Sequence, residues 1–469
     1  MKIIVAGAGA GKTTSMAEEV LARYREIEGR KIIYVITYTN AARDHIRNKI
    51  LEIQGNIPKQ IKVETSHVFL LQETILPFYH LLYEQQYTAV SAITLPDNYG
   101  FRAKKLKELK MENMVHIQEV TNIAKHVIYG KSNDKKIVKE KRKKIIAIIK
   151  KYLDSIFIDE AQDLDEHLSK IIEVFHSYEF NLHLVGDPKQ DLRGRNELRK
   201  LIEKYPQNIH YKRENFRCPI SHVNFSNLYV REEEKQEYQT KEFGSLSYIY
   251  EKNINIIDYL NGTSWSYIYI YQKNERFITN PKDFNSPKDT LSYELKVLVK
   301  KAKVEENKID QVVFVLRKLV IKNIKTKNNW EIVNKIGELL AVELTKQDKA
   351  RLYEALDLNR KNNQAEGILV NSIDKVKGLE GDNCLFILTT ELSDYLFLNK
   401  NEQNKMFNYL YVALTRAKQE LMILVTKEVE DKYGREWINN RFKQLLKTDL
   451  VLKESAISDP EGKQIEITI

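Results

Sequence analysis

The 469-residue sequence predicts an α/β protein built on parallel sheets. Short apolar, β-branched runs alternate with longer stretches of helical spacing. A glycine-rich segment directly follows the first run, and a later run, 156–158, ends in adjacent carboxylates. Strands that alternate with helices favour parallel layers whose ligand sites lie at strand C-termini.

The apolar runs fall at 3–6, 31–37, 156–158, 182–185, 267–271, 312–316, 367–370, 384–388 and 421–425. Residues 15–27 and 42–53 carry apolar positions at helical spacing between them. Two stretches interrupt the alternation. Residues 69–151 scatter aromatics (Phe78, Tyr79, Tyr83, Tyr87, Tyr99, Phe101) and end in a lysine-rich run, 135–151. Residues 280–366 are helical and lysine-rich, with 312–316 as their one strand-like run. Both read as insertions between core strands. The basic run reads first as a solvated helix face and second as a nucleic-acid contact.

Formal net charge is +10 and 30% of residues are charged, a balance that suits a polyanionic partner as well as a plain solvated surface. The two cysteines, Cys218 and Cys384, are far apart in sequence, which argues against a disulfide framework or a thiolate metal site. No apolar run approaches the ~18 residues of a membrane span, and no signal peptide opens the chain. A cytoplasmic protein with no membrane partner is expected.

The chemistry begins at Ala6-Gly7-Ala8-Gly9-Ala10-Gly11-Lys12-Thr13-Thr14, directly after Lys2-Ile3-Ile4-Val5. Strand, glycine-rich turn, Gly-Lys-Thr and amphipathic helix make the layout of a phosphate-binding loop. Small residues let backbone N–H groups close round an anion at the positive end of a helix. The expected nucleotide contacts are Ala8, Gly9, Ala10, Gly11, Lys12, Thr13 and Thr14. Lys12 is placed to reach the β/γ-phosphates, and the Thr13 hydroxyl to sit on Mg²⁺. Ala6 stands where the strict pattern has glycine.

In Ile156-Phe157-Ile158-Asp159-Glu160-Ala161-Gln162-Asp163, Asp159 can hold Mg²⁺ and Glu160 can orient an attacking water. Alone, such a pair is more often a polar strand end; the phosphate loop in the same chain raises its weight. Leu184-Val185-Gly186-Asp187-Pro188-Lys189-Gln190 ends a further strand, and the Gln190 amide could sense a γ-phosphate. Arg217 has the planar fork that suits a terminal phosphate, and Phe216 beside it could stack on a base. Arg416, in Tyr411-Val412-Ala413-Leu414-Thr415-Arg416-Ala417, has the character of an arginine finger. Each arginine alone is more often a surface residue.

In order, these segments and those at 37–42, 65–67 and 377–380 resemble the motif series of the UvrD/Rep/PcrA-type superfamily 1A DNA helicases. The series spans nearly the whole chain. The resemblance implies two RecA-like parallel-sheet domains flanking an ATP cleft, with helical insertions. Their expected extents are 1–68 and 152–212 for the first domain and 213–279 and 367–469 for the second. The insertions then fall at 69–151 (1B-like) and 280–366 (a reduced 2B-like segment). It further implies Asp159 and Thr13 on Mg²⁺, Glu160 as base, Gln190 as γ-phosphate sensor, and Lys12, Arg217 and Arg416 on phosphates. Phe216 would stack on the base and Glu380 would bond the ribose, with Gly378 among the nucleotide-binding residues. Thr39, Asn40 and His67 lie in segments that touch single-stranded DNA in the family.

The chain departs from the family in four ways. Only residues 1–5 precede the loop, so the glutamine segment that reads adenine is expected to be missing. Loose discrimination among ATP, GTP and dNTPs is expected to follow. Residues 191–196 lack the aromatic that stacks on DNA, and Arg193 or Arg195 could replace part of that contact. Asp374 stands where a histidine meets the DNA backbone. The span between Arg217 and Lys377 is too short for the large second insertion.

The leading expectation is an ATP-driven motor on single-stranded or tailed DNA, moving 3′ to 5′, in antiviral defence or repair. A compact chain of this kind is similar to the helicase-like subunit of the Gabija antiphage system, which implies a nuclease partner. The alternative is a nucleotide-gated DNA sensor that regulates such a partner without unwinding.

Overall fold

The computed structural model describes residues 1–27, 29–274, 276–279, 290–302, 304–305, 308–323, 327–363, 368–400, 404–445 and 452–454. It divides into two compact units, Met1–Tyr267 with Val376–Ile469, and Ile268–Lys375. Of the insertion expected at 280–366, residues 280–289, 303, 306–307, 324–326 and 364–366 lie outside the described residues. So do 275, 367, 401–403, 446–451 and 455–469 of the expected second domain.

The first unit holds the parallel α/β architecture that the sequence predicts. Its first sheet is formed by β1 (Lys2–Ala6), β2 (Ile32–Thr37), β3 (Ile61–Thr65), β4 (Leu153–Ile158), β5 (Asn181–Gly186) and β6 (Ile209–Lys212). Their order is β3-β2-β4-β5-β1-β6, and every pairing is parallel. Parallel strands are buried on both faces, which is why these segments read as nearly continuous apolar runs. Alternate residues supply two cores. Tyr34, Ile36, Ile156, Ile158, Leu182 and Leu184 face the layer built by 69–151, among Phe69, Tyr79, Val127 and Ile146. Ile33, Val35, Phe157 and Val185 face the helices Lys12–Glu26 and Asn40–Gln54, through Met16, Val20, Ile46 and Ile50.

The basic run forms the helix Lys136–Tyr152. Ile145, Ile146 and Ile149 are buried, while Lys139, Lys143, Lys144 and Lys151 are exposed, the pattern of a solvated face. Arg142 turns inward to a buried ion pair with Asp134, whose carboxylate also accepts from Tyr83 Oη at 3.0 Å.

The same unit contains the strands β7 (Ser245–Tyr250), β11 (Gly381–Leu388), β12 (Ala417–Val425) and β13 (Leu452–Glu454). They pair in parallel as β11-β12-β7-β13. β7 carries no run in the sequence reading because Ser245, Ser247 and the tyrosines hide its period, although Leu246, Tyr248, Ile249 and Tyr250 are buried.

The second unit has strands β8 (Tyr267–Ile270), β9 (Phe277–Thr279) and β10 (Ile368–Ser372), paired in parallel as β9-β10-β8. It also has the helices Thr290–Lys301, Ile309–Asn323, Asn329–Leu340 and Lys346–Asn363. The strand-like run expected at 312–316 is instead part of the helix Ile309–Asn323. Ile309, Val313, Leu316 and Val320 are buried at helical spacing while Phe314 and Val315 are exposed, so the longer period overrides local β propensity.

Candidate nucleotide site

At the C-terminal end of β1 the chain turns through the glycine loop into the helix Lys12–Glu26. Gly9 and Gly11 take φ of +72° and +68°, a region that glycine enters without a Cβ penalty. Lys12 folds back over the loop, its Nζ donating to Ala6 O at 3.2 Å and Gly7 O at 3.0 Å. The first N–H groups of a helix have no partner within it, the physical basis of an anion site. Thr13 is half-buried and Thr14 exposed.

The carboxylates lie at the ends of β4 and β5, the strands between β2 and β1. Asp159 is buried, and burial pushes its carboxyl up to about 7; the charge of Glu160 adds to the push and Lys12 opposes it. A buried carboxyl under that strain is one that a divalent cation would relieve. Together with the Thr13 hydroxyl it offers the small protein donor set that Mg²⁺ takes when phosphates and waters complete its shell. Among the described residues, no group of three or more His, Cys, Asp or Glu forms a closed metal cage.

Glu160 sits at φ +52° and donates its N–H to Asp159 Oδ1 at 3.0 Å. The Gln162 amide binds both ways. Its Nε2 donates to Glu160 Oε2, and its Oε1 accepts from the Asp187 N–H at 2.9 Å. A Cβ on Gly186 would lie 2.8 Å from Gln162 Oε1, so the glycine leaves the room that this amide occupies. Asp187 is fully buried. Burial would raise its carboxyl, but Lys189 and Lys12 outweigh that and hold it below its usual value. It accepts from Gln190 Nε2 at 3.0 Å and pairs with Lys189 Nζ at 2.9 Å.

Residues after β6 and around β11 and β12 close over the loop. Phe216 donates its N–H to Gly9 O at 3.0 Å, yet its side chain is 60% exposed. Arg217 pairs with Glu380, whose other oxygen lies 2.7 Å from Lys418 Nζ. Burial opposes the charge on Glu380, but Lys418 and Arg217 prevail and hold it below its usual value. Gly378 takes φ +82°, next to Lys377, which pairs with Asp163 at 2.8 Å. Arg416 is wholly buried, donating to Val412 O at 2.9 Å and Leu379 O at 3.0 Å. Arg217 thus meets the loop edge, while Arg416 is engaged on backbone carbonyls.

Several side chains in this cluster have no role in the sequence reading, among them Gln162, Asp187, Lys189, Lys377 and Tyr411, whose hydroxyl accepts from the Ala8 N–H, and Gln236, which donates to Ala8 O. The first five lie inside motif segments, so their positions alone could have marked them. Gln236 stands in a Glu/Lys-rich stretch with no local signal.

The segments expected to touch DNA lie at the ends of β2 and β3. Thr39 and Asn40 are exposed, and Thr39 Oγ1 accepts from the Ala42 N–H at 3.1 Å as the N-cap of the helix Asn40–Gln54. His67 is half-buried, and burial lowers its pKa. Arg193 is exposed, whereas Arg195 donates to Asp163 O at 2.7 Å.

Residues 1–194 match the AAA domain family. The matched segment includes the phosphate loop at 6–14. Gabija protein GajB from Bacillus cereus (strain VD045) is 27% identical over an alignment 504 residues long, which covers 94% of this chain and 96% of that protein. The resemblance to UvrD-type helicases and to a Gabija protein, drawn from the motifs, therefore stands. A solved Arterivirus nonstructural protein 10 (helicase) with DNA aligns at 10% identity and a TM-score of 0.36. That alignment covers 92% of this chain but 62% of the other, under two thirds of its length, and is too loose to carry an argument. Among the described residues no helix is long and apolar enough to cross a membrane.

Proposed function

We propose that the chain is a DNA-stimulated ATPase of UvrD type that moves along single-stranded DNA 3′ to 5′. It acts beside a nuclease partner in antiviral defence. The supporting observation is the convergence of Lys12, Asp159 and Asp187 at the C-terminal ends of adjacent strands, where Lys12 acts on both carboxylates. The likeness to a Gabija protein over nearly the whole chain supports the defence role and the partner.

In this reading Ala8–Thr14 cradle the phosphates, and Thr13 and Asp159 hold Mg²⁺, which neutralises phosphate charge when bound. Glu160 takes the proton of the attacking water, oriented by Gln162. Gln190 contacts the γ-phosphate. Arg217 and Arg416 stabilise transition-state charge, which requires Arg217 to leave Glu380 and Arg416 to leave its carbonyls. Phe216 stacks on the base, and Glu380, once released, bonds the ribose beside Gly378. Thr39, Asn40 and His67 contact the DNA strand. Hydrolysis then resets the cleft.

The engagement of Arg195 on Asp163, and the lack of an aromatic in 191–196, favour a second reading: a nucleotide-gated DNA sensor without unwinding. Strand displacement from a 3′-tailed duplex separates the two. The motor displaces the strand, and Lys12→Ala abolishes both displacement and hydrolysis. Hydrolysis without displacement, with the partner present, selects the sensor. No hydrolysis with ATP, Mg²⁺ and DNA overturns both readings.

A further inference from the structure

The phosphate loop is held from outside at one peptide. The Ala8 N–H donates to Tyr411 Oη at 3.0 Å, and Ala8 O accepts from Gln236 Nε2 at 2.9 Å. Tyr411 Oη in turn donates to Gln236 Oε1 at 2.8 Å. Both polar groups of Ala8, one hydroxyl and one amide therefore close into a single hydrogen-bonded ring. All three residues are buried, at 1% exposure for Ala8 and Tyr411 and 4% for Gln236.

The ring is built rather than incidental. Asn227 holds the Gln236 backbone twice, accepting from its N–H at 2.9 Å and donating to its carbonyl at 2.8 Å. Asn215 Nδ2 adds a donor to Gln236 Oε1 at 3.2 Å. A Cβ on Gly7 would lie 2.3 Å from Gln236 Nε2, so the loop is shaped to admit this amide. Lys189, beside Gln190 in the strand-end turn, has its ammonium 5.1 Å from the Tyr411 ring centroid. Tyr411 lies on the helix Lys405–Leu414, and the chain runs from there through Arg416 into β12.

We infer that Gln236 and Tyr411 form a latch that positions the phosphate loop for turnover and ties it to the residues carrying Arg217 and Arg416. Gln236, outside every motif in the chain, is then a positioning residue. A buried N–H without its acceptor is disfavoured, so opening the ring frees the Ala8 peptide to sample other orientations. A loop that samples orientations binds phosphate nearly as well but holds it in reactive geometry for less of the time.

The test uses the full chain with Tyr411→Phe, Gln236→Leu and the double variant, each checked by thermal melting. Amide hydrogen exchange without nucleotide reads the latch directly, whatever the enzyme does. Peptides containing residue 8 are expected to exchange about tenfold faster in either single variant, the loss of one net hydrogen bond. The kinetic arm rests on the ATPase reading above. There kcat is expected to fall about tenfold with KM changed less than about threefold, and the double variant to be no worse than the poorer single. Unchanged exchange at residue 8 in both folded singles overturns the latch, as does a double variant whose loss is the product of the singles. If Tyr411→Phe does not fold, Gln236→Leu alone decides by exchange. A wild type that hydrolyses nothing overturns the ATPase reading, and exchange still decides the latch.

Discussion

The C-terminal edge of the first sheet carries two regions of different construction. At β1, β4 and β5, the polar groups around the loop bind distant segments. Ala8 binds Tyr411 across 403 residues of sequence, and Gln162 binds Asp187 across 25. At β2 and β3, the polar groups serve local turns: Thr39 caps the helix that starts at the next residue. The central region is cross-linked by hydrogen bonds between distant segments, which favours chemistry. The flank offers exposed groups on a standard helix start, which favours a partner that supplies its own order.

Breaking the central region has the largest expected effect. Glu160→Gln keeps the shape of the side chain and removes its charge, so ATP turnover should fall at least about a hundredfold, the scale of a lost general base. Fluorescent-nucleotide binding should persist. Normal turnover by this variant would remove Glu160 from the base role.

The flank should respond less. Thr39→Ala and His67→Ala should each lower the DNA-stimulated ATPase rate by a few-fold. Thr39→Ala should also destabilise the fold by about 1 kcal/mol through its lost cap. A hundredfold loss from either would show that the flank is organised for turnover in the same way as the centre.

The opposite edge of the sheet supplies the smallest effect. Glu19 lies 2.9 Å from Lys2 Nζ and 3.5 Å from His183 Nδ1. His183 and Lys2, opposed by burial, lower its carboxyl to about 2. A depressed carboxyl stabilises the fold above its unfolded value near 4.5, and that contribution is lost as pH falls towards 2. Glu19→Gln should therefore be less stable than wild type at neutral pH, by no more than about 1 kcal/mol for so exposed a pair. The two should converge near the acid end of a pH series of urea melts. A difference that grew on acidification would contradict the assignment.

What the sequence makes legible follows the same division. Lys12, Asp159, Glu160 and Gln190 stand out because phosphate chemistry needs contiguous residues on a strand end, so the signal is local. Arg217 and Glu380 are also legible singly, but their mutual pairing is not, because 163 positions separate them in the chain. Gln236 is invisible for a stronger reason: it stands in a charged stretch with no motif, and its partners Ala8 and Tyr411 lie far away in sequence. In the fold, β7 is obscured by serines and tyrosines that bury well without an apolar signature. The run at 312–316 misleads in the other direction, because four β-prone residues sit inside a longer helical period.

Glu160 carries one more consequence. Its φ of +52° places a glutamate where L side chains are disfavoured, at a cost of order 1–3 kcal/mol. Glycine, or asparagine to a lesser degree, would occupy that backbone more comfortably. Selection for stability alone would therefore push this position away from glutamate. The residue that the chain carries there is the one that a water-activating carboxylate requires, so the backbone strain and the proposed chemistry point to the same atom group from opposite directions.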